Sequence, residues 1–133
     1  MITAVDSSVF WTVFNDETSA VDWSRTLLDA SREGELTICE VVFAEIAPAF
    51  DSRQKALDML QRLGVRFDPL NDEAAFEAGC VFKAYRHEGG PRRHMIPDFL
   101  IGSHALRQSD QLAAVDRGYL RRYFPKLKIL TPG

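Results

Sequence analysis

Short apolar runs at 2–5, 36–38, 64–67, 112–115 and 127–130 alternate with longer amphipathic stretches, and this alternation restricts the fold more than any other feature of the chain. Runs this short, apolar at consecutive positions, suit parallel strands buried on both faces. The stretches between them carry helical spacing. Residues 19–32 bring Ala20, Trp23, Leu27, Leu28 and Ala30 near one face, and Gly34 follows as a helix stop. Residues 41–49 continue through Val41, Val42, Phe43, Ile46 and Ala47 to Pro48, and Asp51-Ser52 marks a break before a helix over 52–63 with Ala56, Leu57, Leu60 and Leu63. A helix over 72–87 presents Ala75, Phe76, Gly79, Phe82 and Lys83, residues 88–94 read as a loop, and Pro97 opens a helix over 98–108. Strands separated by helices, with no internal repeat, predict an α/β fold with a parallel sheet covered on both faces. At 133 residues and 46% hydrophobic content, one core and a single domain over 1–133 are expected.

A formal charge of −3 and a pI near 5.6 argue against a protein that holds nucleic acid through its overall field, so an RNA partner needs a local patch. Cys39 and Cys80 sit inside apolar stretches, which suits buried thiols in a reducing compartment better than a disulfide framework, although one disulfide stays open. The opening residues lack a basic region and meet Asp6 at once, unlike a signal peptide. No apolar run approaches the roughly 18 residues of a membrane span. A soluble, cytoplasmic protein is the expectation.

In open parallel sheets, ligands bind beyond the carboxyl ends of the strands. Asp6 directly follows the first apolar run, and Asp116 follows 112–115 in the same way, so the two face each other if their strands are neighbours. Asp98 comes right after Pro97 at a helix start. Glu45 interrupts an otherwise apolar turn, Val42 to Ala47, where an ionised carboxylate is costly without a partner. Each acid also has a structural reading: helix N-caps for Asp6 and Asp116, dipole stabilisation for Asp98, a solvated face for Glu45. As a set they point elsewhere. Four carboxylates meeting at one edge repel one another, and an oxygen-ligated Mg²⁺ or Mn²⁺ is the usual compensation.

At these positions the sequence resembles the PIN domain family, and within it the VapC-type toxins of toxin–antitoxin pairs. The resemblance spans nearly the whole chain and rests on Val5-Asp6-Ser7-Ser8-Val9, Val41-Val42-Phe43-Ala44-Glu45-Ile46, the stretch from Pro97-Asp98-Phe99 to Leu106, and Ala114-Val115-Asp116-Arg117-Gly118. Ser7 matches the Ser or Thr that such proteins carry beside the first acid. One place departs: many members have Thr or Ser two positions before the fourth acid, where this chain has Ala114. The resemblance implies a three-layer α/β/α domain whose central parallel sheet has four to five strands, ordered 3-2-1-4-5. It also implies Mg²⁺- or Mn²⁺-dependent endoribonuclease activity with Asp6, Glu45, Asp98 and Asp116 as metal-holding catalytic residues, a small VapB-like antitoxin, and a homodimer. The alternative is a weak or inactive fold-mate that binds RNA or protein without cutting it.

Arg86, His87, Arg92, Arg93 and His94, just before Asp98, are candidates for RNA phosphates, set against an ordinary solvated loop. Arg117, Arg121, Arg122, Lys126 and Lys128 read as a solvated helix face. His94 and His104 lack zinc spacing. Trp11, Trp23, Phe76 and Phe82 read as core or dimer contacts, and Glu40 as a rim residue outside the face of Glu45. A phosphatase with Asp6 as nucleophile would want a second acid where Ser8 stands, and a phosphoaspartyl receiver finds only Asp68-Pro69 after the third strand.

Overall fold

The computed structural model describes residues 1–90, 96–115 and 118–133. The five apolar runs become β1 (Ile2–Val5), β2 (Glu35–Ile38), β3 (Val65–Phe67), β4 (Gln111–Ala113) and β5 (Ile129–Leu130). Every pairing is parallel and the order is β3-β2-β1-β4-β5. This is the order that the resemblance implied. Parallel neighbours require long crossovers, which the helices supply: α1 (Ser7–Phe14), α2 (Ala20–Glu33), α3 (Glu40–Ile46), α4 (Arg53–Leu63), α5 (Asp72–His87), α6 (Ile96–Gln108) and α7 (Gly118–Tyr123). They flank the sheet, and none is long and apolar enough to cross a membrane among the described residues.

Each strand is short because its partners leave it quickly. In β1 and β2 three consecutive residues are buried, so both faces meet helices, and the core gathers Val5, Ile38 and Leu112 with Phe10, Val42 and Phe99. Gly34 ends α2 through close approach rather than a left-handed turn: its φ is 173°, and a Cβ there would strike the Met1 carbonyl oxygen. Ser52 caps α4 by accepting from the Lys55 N–H at 3.2 Å.

Some details differ from the sequence reading, β5 for example being Ile129–Leu130 where 127–130 was expected. The fourth run was expected over 112–115, but β4 is Gln111–Ala113 and Val115 stands outside it, 37% exposed. Gln111 is nevertheless buried, because its Nε2 donates to the Thr3 hydroxyl at 2.9 Å across the β1–β4 pair. The face of α5 is also turned. Ala74 and Ala78 are buried against the rest of the fold, whereas Ala75, Phe76, Gly79 and Lys83 are exposed and only Phe82 of the expected set packs inward.

A nest of aromatic rings sets α6. Phe99 is buried and lies 5.3 Å from Tyr85, 5.6 Å from Tyr123 and 6.0 Å from Phe82, ring centre to ring centre. Gly102, one turn on, leaves room for Phe124, whose ring a Cβ would strike. Rings of α5, α6 and α7 therefore interlock beside Asp98.

Candidate active site

Asp6 stands where β1 becomes α1. Its backbone is extended (φ −75°, ψ 152°), and its Oδ2 accepts from the Ser8 N–H at 3.2 Å, so the expected capping role is present. The same oxygen accepts from the Ser8 hydroxyl. The carboxylate is only 6% exposed, yet among the described residues no Lys, Arg or His side chain pairs with it. A cap explains one oxygen; it does not explain burying a negative charge without a positive one.

The Ser8 hydroxyl does a second thing. It accepts from the Val115 N–H at 3.3 Å, while the Asp6 N–H donates to the Ala113 carbonyl at 2.9 Å. The end of β1 is thus tied twice to the chain leaving β4. Asp116 lies outside the described residues, but the adjacency it needs is present: Val5 sits in register with Ala113.

Glu45 is half-buried on α3, and its Oε1 accepts from the Ser7 hydroxyl at 2.9 Å. It is therefore not a fully solvated position on its helix. Ser7 and Ser8, adjacent at the start of α1, hold Glu45 and Asp6 respectively. Together with Trp11, Thr12, Glu17 and Val115, these two serines and Glu45 line an open cleft of about 540 Å³. Asp98 is half-buried in the first turn of α6, a helix that packs on α3, β1 and β4, so its elements adjoin those of Glu45 and Asp6. Its place also satisfies the dipole reading. Among the described residues no three acids gather into a ready cluster. The donor chemistry nonetheless fits a hard cation, since every candidate is a carboxylate and, among the described residues, no Cys or His lines the cleft.

Other expectations fall out differently. Trp11 lines the cleft instead of lying wholly in core or dimer contact, while Trp23 is buried at 3% exposure. Phe76 is 76% exposed, not core. Cys39 is buried, and burial pushes its thiol up, but Cys80 is exposed and both are free. Glu40 does not reach the cleft; its Oε1 accepts from the Leu70 N–H at 2.9 Å. His104 is buried against Asp68, a partnered core histidine. Arg86 donates to the Gly90 carbonyl, and Arg122 pairs with Glu88. Arg92, Arg93, His94 and Arg117 lie outside the described residues. Ser8 and Glu17 were not foreseen. Ser8 was legible only as a missing second acid, and Glu17 follows a helix whose end the spacing does not mark.

The family model of the PIN domain matches residues 3–125. The chain belongs to the PIN domain family. No curated protein matches it at sequence level. Solved structures similar to this PIN domain include VapBC2 from Rickettsia felis bound to a promoter DNA fragment, at 15% identity and a TM-score of 0.71 over 98% of each chain. VapBC-1 from nontypeable Haemophilus influenzae gives 17% identity and 0.69 over 98% of this chain and 97% of that one. FitAcB from Neisseria gonorrhoeae gives 16% and 0.65 over 99% and 98%. At such identities the likeness establishes the PIN fold. PIN domains are generally nucleases, and PIN nucleases generally use divalent metals.

Proposed function

We propose that this PIN domain, acting as one domain over 1–133, is a Mg²⁺- or Mn²⁺-dependent endoribonuclease and the toxin of a VapBC-type pair. The observation that carries the proposal is Asp6: a buried carboxylate at the carboxyl end of a central parallel strand, without a cationic partner among the described residues, beside an open cleft that contains Glu45.

In this reading Asp6, Asp98 and Asp116 hold the cation, and Glu45 completes the set or orients the attacking water. A bound divalent ion polarises a phosphoryl oxygen, lowers the pKa of water and stabilises the leaving oxygen. The chain's part is to keep acceptors in place. Ser7 fixes Glu45 by donating to its Oε1. Ser8 fixes Asp6 in the same manner. Arg92, Arg93 and His94, with Arg86 and His87, are proposed to meet RNA phosphates that the acids themselves repel.

A VapB-like antitoxin, cytoplasmic location and a homodimer belong to the same proposal. An apolar groove of about 280 Å³, lined by Phe10, Phe14, Leu27, Leu28, Leu63 and Val65 among others, suits an apolar helical segment of an antitoxin. The exposed Phe76 face of α5 supports contact with a second copy.

Ala114 favours the second reading, a weakly active or inactive binding module, because the hydroxyl many members carry there is missing. Mapping RNA ends produced by the wild type and by Asp6→Asn tests both. Metal-dependent ends with 5′-phosphates, absent from the variant, support the nuclease. RNA binding without cleavage in Mg²⁺ or Mn²⁺ supports the module, and 2′,3′-cyclic phosphates count against the metal route.

A further inference from the structure

Trp11 sits on α1 one turn after Ser7, and helical spacing puts both on the face that opens to the cleft, while Val9 and Phe10 turn to the core. Apart from Val115, the other described walls of the cleft are polar. Its described walls carry Glu45 and Glu17 with hydroxyls from Ser7, Ser8 and Thr12, so it repels a phosphate and offers a nucleic acid little apart from a place for a cation. The indole is half-buried, and among the described walls it is the large π surface. Phe14 meets Trp11 in a T-shaped contact, 5.9 Å between centres at 83°. One edge-on neighbour can cover at most one face of the indole.

We propose that Trp11 is a stacking platform for one nucleobase of single-stranded RNA, placed beside the carboxylates that act on the neighbouring phosphodiester. This rests on the ribonuclease reading of the same site. A base is neutral, so stacking lets the strand enter an acidic cleft without bringing a phosphate against Glu17 and Glu45. The platform accepts any base and favours purines, whose larger faces overlap the indole more. It also requires an unpaired strand, because a base held in a duplex has both faces covered.

The chain has two tryptophans, and Trp23 is buried on α2, so a change in indole emission on RNA binding reports Trp11. The probe is a short oligoadenylate RNA, with Ca²⁺ replacing Mg²⁺ to slow cleavage, and an abasic strand of equal length as control. Expected is quenching by oligoadenylate but not by the abasic strand, lost in Trp11→Phe while Trp23 emission persists. Trp11→Ala weakens oligoadenylate binding about tenfold, the scale of one stacked base. Trp11→Phe retains most of the affinity, and it keeps the test valid if the alanine variant folds poorly. Oligoadenylate binding that leaves wild-type emission unchanged and is indifferent to Trp11→Phe and Trp11→Ala overturns the platform and leaves the ribonuclease reading intact. Absence of both binding and cleavage of RNA by the wild type overturns the ribonuclease reading and the platform with it.

Discussion

Asp6 and Asp68 each follow a parallel strand of one sheet, and the sequence marks them in the same way. Their surroundings are opposite. Asp68 meets His104 Nε2 at 3.0 Å, the Gln108 amide at 3.2 Å and an Arg66 guanidinium nitrogen at 3.3 Å, so both of its oxygens are engaged by side-chain nitrogens. Asp6 is more deeply buried and, among the described residues, its carboxylate meets only Ser8, through a backbone N–H and a hydroxyl. Asp68 secures an edge: Arg66 also reaches Glu35 on β2, and that hydrogen bond raises the guanidinium pKa. Asp6 secures a helix start with one oxygen, and among the described residues no cation answers its charge. The pair teaches that an acid's position at a strand end says less about its task than what its oxygens already hold.

Replacing the charge alone should separate the two most strongly. Asp6→Asn keeps the cap, so unfolding free energy stays level or rises, while RNA cleavage falls by at least about a hundredfold, the scale of losing even an outer partner of a metal. A large loss of stability in this variant would instead make Asp6 a second Asp68. Asp68→Ala should show the reverse in denaturant unfolding: a loss of about 1–3 kcal/mol, because the buried His104 ring loses its partner, with cleavage per folded molecule unchanged. Ser8→Ala tests what connects Asp6 to β4. Cleavage should drop roughly tenfold with a far smaller change in stability, and Ser8→Thr, which retains a hydroxyl, should restore most of it. Glu40→Gln keeps an acceptor for the Leu70 N–H and lies off the cleft, so both cleavage and stability should stay within about 0.5 kcal/mol of wild type.

The strands, the crossover helices and the strand-end places of Asp6 and Asp68 were legible because burial on both faces of a parallel sheet writes continuous apolar runs, whereas the strand order came from the family resemblance. The errors have specific physical sources. Gln111 is polar, yet it sits in a buried strand position where its amide nitrogen donates to the Thr3 hydroxyl across the sheet, and Val115 is strand-like in type although it borders the cleft. On α5 the buried side is made of alanines, which suit close packing on α6 but contrast weakly with Ala75 and Gly79, so the large Phe76 drew the face the wrong way. Cys80 was misplaced with it. Within the site, Glu45 announced itself through its apolar neighbours. Ser8 did not, because a hydroxyl that donates to one strand end and accepts from another is a property of tertiary geometry and leaves no pattern in the chain.

The pairing of β1 with β4 also orders events in time. Residue 3 finds residue 111 as its neighbour, so β1 gains its β4 side well after its β2 side. During synthesis, β2 and β3 can join β1 early, but the Ser8–Val115 link and the edge that leads to Asp116 wait until the segment through Val115 has emerged. A truncated nascent chain therefore carries Asp6 and Glu45 in sequence but not the far wall of their cleft. The order in which segments emerge therefore sets the order in which the walls of this site can close, with the β4 side joining after the β2 side.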